Sequence, residues 1–340
     1  MPISHFVAAD LSRNVAATNE GGRRRRSIVS VSAAPEFTRH LAYADVGNYG
    51  LAHSLLAWAR CHVWCKRHGV PMLAPSWLRL RGRIGPFLRG ERDSRQYHRL
   101  FYFPAYVRGL RRWHALASYT RIAAESPDLQ ASLQGSERKL VVFRNRMSDN
   151  EETHFHEIIG HGPEVRTALA AITLPRHLPK PATGKHVAIH VRMGDFSVPS
   201  SLDALRQGAK NSRIPTAWYG AMLSGLRERI GPLPAVVYSD GSDESLSELL
   251  MLPHVQRSPH QPSITDLLGI AQSQLVISSG SGFSMWGAFL GDAPRICFTG
   301  QRFSRVLRNT TTLDLEPECE SPSDLPEAFI EHMRVNFSVA

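Results

Sequence analysis

Three short stretches of this chain combine residue types that suit a phosphorylated ligand. The first, His190-Val191-Arg192-Met193-Gly194-Asp195-Phe196, directly follows an apolar run. A guanidinium held at a strand end bonds phosphate in a bidentate manner, and Gly194 lets the backbone bend away from it. The same residues also read as a plain Arg192–Asp195 ion pair. The second stretch, Ser239-Asp240-Gly241, ends another apolar run. A carboxylate there accepts hydrogen bonds from a ribose hydroxyl or a base N–H, or else serves a turn or helix cap. The third is Ser278-Ser279-Gly280-Ser281-Gly282-Phe283-Ser284-Met285-Trp286. Small residues opening a helix leave N–H groups unpaired where the helix dipole is positive, which favours an anion. It lacks the Lys-Ser/Thr ending of a Walker loop, and Trp286 stands where a nucleophile elbow needs glycine. Serine hydrolysis is therefore disfavoured.

The elements that must position these groups follow from hydrophobic period. HLAYADV (40–46) reads as a strand, VGNYG as a turn, and 51–68 as a helix closed by Gly69. KLVVFRN (139–145) is a strand, and the Pro-rich segment 173–185 is a domain boundary. Beyond it HVAIHV, AVVYSD, LVISSG and PRICF are strands. The helices between them include 216–230, with Tyr219, Met222, Leu223, Leu226 and Ile230 on one face. One helix is expected near Ser242, and another opens on a capping box, Ser263-x-x-Asp266. In a strand at 186–191 the period of two turns His190 and Arg192 to one side. Alternating strands and helices imply parallel, doubly wound sheets, which bind ligands at their carboxyl edges.

As a set, the three stretches resemble the fucosyltransferase superfamily, and most of all the bacterial α-1,2-fucosyltransferases of glycosyltransferase family 11. The resemblance covers roughly 186–298 and includes Asp266-Leu267 ahead of SGSGFSMW. It is weaker in the first half, where Asp45-Val46-Gly47-Asn48-Tyr49-Gly50 keeps the glycine and asparagine of a G-G-L-G-N-Q turn but not its other residues. The resemblance implies an α/β, GT-B-like fold of two Rossmann-like domains facing across a cleft. It implies metal-independent transfer of L-fucose from GDP-β-L-fucose to a glycan hydroxyl, with inversion. His190 and Arg192 are then expected at the diphosphate and nucleoside, Asp240 at the guanosine, and Ser281, Gly282, Phe283 and Ser284 at the phosphates. Gly194, Ser239 and Ser279 complete the donor site, while Gly47 and Asn48 face the diphosphate or acceptor from the opposite domain. Inversion calls for a base to take the acceptor proton, for which Asp195 is the first candidate and Asp45 the second. The chain contains no D-x-D, the usual holder of a divalent ion in nucleotide-sugar transferases. Arg192 and the helix opening at Ser281 could supply that charge instead, and no cofactor or metal is expected. A superfamily transferase with another GDP-sugar or acceptor is one alternative. A non-catalytic nucleotide- or glycan-binding member of a polysaccharide assembly system, such as O-antigen, is the other.

Composition bounds the remaining classes. With 340 residues, 42% of them hydrophobic and 21% charged, the chain is globular rather than disordered. No apolar run reaches the roughly 18 residues of a membrane span. Four cysteines fit a reducing compartment. The net charge of +10 is lopsided: residues 1–180 hold 27 Lys/Arg against 14 Asp/Glu, and 181–340 hold 13 against 16. The expected organisation is a disordered basic tail over 1–36 with Arg23–Arg26, an acceptor-side domain over 37–180, a GDP-sugar domain over 181–320 and a C-terminal helix over 321–340. The apolar stretch after Arg26 is too short and broken for a secretory signal, so a cytoplasmic location is expected. The basic 60–121 region suits peripheral contact with the inner membrane and an anionic, lipid-linked glycan acceptor. Nucleic acid is disfavoured because no recognition motif accompanies the arginines. HFHEIIGH (154–161) is not a zinc-protease helix, because His156 and His161 are five apart.

Overall fold

The computed structural model describes residues 39–47, 49–77, 97–145 and 154–338. The tail expected over 1–36, Asn48 and the Arg-rich stretch 78–96 lie outside the described residues. The described residues pack as one unit.

Two parallel sheets organise it. β1 (Leu41–Asp45), β2 (Thr120–Ala123) and β3 (Lys139–Arg144) pair in the order β1-β3-β2. β4 (Val187–Val191), β5 (Ala235–Ser239), β6 (Val255–Arg257), β7 (Leu275–Ile277) and β8 (Arg295–Ile296) pair in the order β6-β5-β4-β7-β8. The chain therefore runs outward from β4 through β5 to β6, then returns to β4's other edge with β7. Parallel strands need crossovers, and helices supply them. The longer helices are α1 (Leu51–His68), α2 (Gly109–Ser118), α3 (Gly162–Ile172), which leads from the first sheet to the second, α4 (Thr216–Ile230), α5 (Ser263–Ile270), α6 (Gly282–Gly291) and α7 (Glu327–Ser338), which follows the last strand. This is the α/β architecture expected from the alternation of strands and helices.

The period of two decides which core each strand residue enters. On β4, β5 and β7, Val187, Ile189, Val191, Ala235, Val237, Leu275 and Ile277 join a core with α4 and α7. Their neighbours Ala188, Tyr238 and Val276 face the other way, into a core shared with α5, α6, α1 and β1. That second core reaches across the segment 173–185, so the two sheets are separate in sequence but not in packing. Trp286 on α6 donates from Nε1 to the Ala52 carbonyl on α1 at 2.7 Å. Gly162, opening α3, lies so close to α6 that a Cβ there would overlap the Phe289 carbonyl.

Two local expectations differ from the structure. The capping box at Ser263 does not form, because Pro262 caps α5 and its carbonyl accepts from Thr265 at 2.8 Å and Asp266 at 3.3 Å. Ser263 is thus already helical, and Asp266 is released to other partners. After β5, where the sequence predicts one helix near Ser242, a 3₁₀ turn over Glu244–Leu246 and a single helical turn over Ser247–Leu250 stand instead. Arg257 pairs with Asp243 across this connection.

Candidate functional site

The strands β5, β4 and β7 are adjacent, and their carboxyl ends open into a cleft of about 1010 Å³. Its floor carries His190, Arg192, Gly194, Asp195, Ser239, Asp240, Ser281, Gly282 and Phe283, and the facing wall carries Tyr49, His53 and His154. The strand order reverses between β4 and β7, and such switch points are where open parallel sheets bind ligands.

His190 bridges that switch point. Its Nδ1 lies 2.7 Å from Ser279 Oγ and 3.3 Å from Ser281 Oγ, and its ring stacks on Phe283 with centroids 5.8 Å apart. Burial first, and then the Arg192 charge, push its pKa down to about 4, against the opposing pull of Asp240. At neutral pH the ring is uncharged, so it can give or take a hydrogen bond but brings no positive charge to a phosphate.

The chain after β7 is held by its own serines. Ser278 Oγ donates to Ser284 Oγ at 2.8 Å, and Ser284 Oγ donates to the Ser281 carbonyl at 2.9 Å. Both side chains are fully buried, so Ser284, expected as a phosphate ligand, turns its hydroxyl inward. The hydroxyls of Ser279 and Ser281 stay with His190. What faces the cleft is the start of α6, where the first intrahelical bond is Met285 N–H to the Ser281 carbonyl at 3.2 Å. The amides of Gly282, Phe283 and Ser284 precede it as the helix's orphan donors.

Arg192 is engaged on both sides. Its Nε and Nη2 donate to Asp195 Oδ1 at 3.1 and 2.7 Å, and its Nη1 lies 2.7 Å from Asp240 Oδ2. Asp240 also accepts from the Met193 amide at 2.8 Å and the Gly194 amide at 3.0 Å. It therefore clamps the turn after β4, with each of its carboxylate oxygens already accepting from a backbone amide. Gly194 is required for this approach, since a Cβ would overlap Asp240 Oδ2. Two carboxylates against one guanidinium leave a net negative charge at the strand end. A phosphate gains from Arg192 only by exchanging places with Asp195.

The opposite half brings fewer of the expected groups. Asp45, the second candidate base, sits 3.7 Å from Arg144 Nε and is not among the residues lining the cleft. Gly47 takes a φ of +57° in the turn after β1, and Asn48 lies outside the described residues. Tyr49, Leu51 and His53 reach the cleft instead. His154 lines the same wall with its Nε2 buried and unpartnered. In the sequence it belongs to the histidine cluster 154–161, whose other members serve elsewhere: His156 is exposed and His161 pairs with Glu164 at 3.0 Å.

Asp266 belongs to the motif that carries the resemblance, but by itself it reads as a helix cap and is not among the residues expected at the site. It lines the cleft beside Gln261 and Tyr238, and its Oδ1 accepts from Gln261 Nε2 at 2.8 Å and Ser258 Oγ at 3.1 Å. Burial raises its pKa from 3.8 to about 6, an effect only partly offset by those hydrogen bonds. A half-buried carboxylate with one oxygen engaged can accept from a paired donor edge, as a nucleobase presents. Among the described residues, no group of three or more His, Cys, Asp or Glu side chains is gathered to hold a metal ion.

No protein-family model matches this chain, and no curated protein matches it. Solved structures similar to it include NodZ α-1,6-fucosyltransferase co-crystallised with GDP, at 15% identity and a TM-score of 0.37, covering 75% of this chain and 92% of that one. The fucosyltransferase NodZ from Bradyrhizobium has 13% identity and a TM-score of 0.38 over the same shares. POFUT1 in complex with GDP has 11% identity and a TM-score of 0.38, covering 75% of this chain and 96% of that one.

Proposed function

We propose that this chain transfers L-fucose from GDP-β-L-fucose to a hydroxyl of a glycan acceptor, with inversion, without a metal ion and in α-1,2 linkage. The observation that carries the proposal is the convergence at the β4/β7 switch point. There a guanidinium, a neutral imidazole and the amino end of a ten-residue helix meet in a cleft large enough for a nucleotide sugar and an acceptor. In this reading the diphosphate lies on the amides of Gly282 to Ser284, and Arg192 turns from Asp195 to the β-phosphate. The guanine edge goes to Asp266, because Asp240 is spent on the Met193 and Gly194 amides.

The chemistry then follows from charge. As the bond from the anomeric carbon to the phosphate oxygen breaks, negative charge builds on GDP and is met by Arg192 and the α6 dipole. Asp195, freed by that exchange, accepts the acceptor's hydroxyl proton while the acceptor oxygen bonds the opposite face of the anomeric carbon. Tyr49, His53 and His154 stand on the acceptor's side of the cleft.

The test is GDP release from GDP-fucose with a panel of glycan acceptors, with and without EDTA. Acceptor-dependent release that EDTA leaves unchanged supports the reading, and loss of release in Arg192→Ala supports the phosphate role. Release abolished by EDTA sinks the metal-free mechanism. A second reading, a member that binds a GDP-sugar without turnover, is favoured by the double carboxylate engagement of Arg192. Tight GDP binding with no release on any acceptor would select it.

A further inference from the structure

The amino edge of the first sheet, opposite the cleft, carries a second cavity of about 700 Å³. Arg39 and Leu41 open β1, Tyr119 precedes β2, and Ser136 and Arg138 precede β3; all line it. The remaining wall is α2, through Leu110, Arg111 and His114. Among the described residues, no carboxylate lines this cavity. The nearest acid in sequence, Glu137, is engaged by Lys139 Nζ and Thr120 Oγ1. Five residues of β1 at about 3.3 Å each separate this edge from the cleft by roughly 15 Å.

Helix α2 is apolar on two faces. Ala115 is buried in a small core with Leu41, Leu73, Leu140 and Val142, and Leu116 packs on it. On the outer face Leu110 is 88% exposed and Trp113 66% exposed, with exposed Ala117 at the next step of the same stripe. This stripe is held in place rather than trailing: Arg112 donates from Nε to the Ala74 carbonyl at 2.7 Å, with its guanidinium 5.5 Å from the Trp113 ring. Exposed arginines flank it, Arg108 before the helix, Arg111 within it, Arg121 on β2 and Arg138 just before β3.

We propose that this face docks on an anionic lipid bilayer, with Leu110 and Trp113 seated at the headgroup boundary and lipid phosphates entering the Arg39–Arg111–Arg138 cavity. The charge decides the occupant. An apolar stripe of three side chains is too small for a stable protein interface, whose buried area is about 800 Å² per partner. Ringed by cations, it has the composition of an interfacial helix, and Trp prefers the headgroup level. Docking here leaves the cleft free at the far edge of the sheet, so the surface locates the protein and takes no part in catalysis.

The experiment is cosedimentation of the full chain with phosphatidylcholine vesicles and with vesicles in which phosphatidylglycerol replaces part of the lipid. GDP binding is measured on the same samples. Binding is expected only to the anionic vesicles and should fall as salt rises. Arg111→Ala/Arg138→Ala should lower the partition coefficient about 25-fold, roughly fivefold for each charge. Leu110→Ala/Trp113→Ala should lower it at least about tenfold, with near-ultraviolet circular dichroism from the other five tryptophans and GDP binding retained. Equal binding to neutral and anionic vesicles overturns the proposal, as does an unchanged partition of the Leu110/Trp113 variant. So does preferential capture by a duplex DNA oligonucleotide that the same variant still binds. The vesicle result does not depend on GDP, so failure of the donor reading and failure of this one are distinguishable.

Discussion

Replacing Asp195 by asparagine is expected to tighten GDP binding even as it impairs turnover. In the structure Asp195 Oδ1 takes two donors from Arg192 at 3.1 and 2.7 Å, and Asp240 Oδ2 takes the third at 2.7 Å. A β-phosphate arriving at Arg192 must displace the Asp195 carboxylate and also feel its charge. Both side chains are about a third exposed, so the effective dielectric lies between that of a protein surface and that of water. Charges about 4 Å apart then interact by roughly 1–4 kcal/mol. Measured exposed pairs, at about 0.2–1 kcal/mol, draw the estimate to the low end. Asp195→Asn keeps the shape and removes the charge, which gives about 1–2 kcal/mol, or about 5- to 30-fold tighter GDP binding. Titration calorimetry with GDP at low and high salt measures it, and the gain should shrink as salt screens the pair. A variant that binds GDP equally or more weakly at low salt would refute the idea that Arg192 is the phosphate ligand held in check by Asp195. Turnover in the same variant should fall about 100-fold or more if Asp195 is the base.

Three further outcomes rest on particular contacts. In Gly194→Ala the added methyl overlaps Asp240 Oδ2, so the clamp opens and GDP affinity should drop at least about tenfold; thermal stability should fall by about 1–3 kcal/mol. Asp266 binds its proton more tightly when folded, so stability should decline as pH rises from about 4 to about 6 and stay lower above, by about 3 kcal/mol. Asp266→Asn should flatten that decline in denaturant titrations and raise stability at pH 8, while GDP affinity falls about 10- to 100-fold. An unchanged pH profile would show that burial does not act on this carboxylate. Gly162→Ala should destabilise the fold by about 1–3 kcal/mol in denaturant unfolding, because the Phe289 carbonyl it meets is helix backbone and yields little; no measurable change would mean that α3 and α6 are not so closely packed.

Much of the scaffold is legible in the sequence because its signals are local. The strands at 41–45, 139–144, 187–191 and 235–239 announce themselves by apolar runs, and α1 by its period and the left-handed Gly69 at its end. The side to which His190 turns follows from the period of a strand. The chemical types at the strand ends are legible too, which is why most expected donor-site residues line one cleft. Partner choice is not. Asp240 and Gly194 are 46 residues apart, and only the pairing of β4 with β5 brings that carboxylate under that amide. The same distance problem hides Asp266, which looks like a helix cap until Pro262 takes that role. It also keeps Asp45 in view as a base, although it pairs with Arg144 at the end of the adjacent strand.

The sequence by itself determined the alternation of strands and helices, the chemical groups at the strand ends and the uneven distribution of charge, because each is written in residue type and short-range period. Tertiary structure alone decided which of those groups remain available. The burial that neutralises His190 comes from the β4/β7 pairing and α6, the two carboxylates on Arg192 come from the turn after β4 and from β5, and the outward Leu110 and Trp113 come from α2 having only one face to bury. Availability depends on what lies within a few ångströms, and that is set by how strands pair and helices pack rather than by the order of residues along the chain.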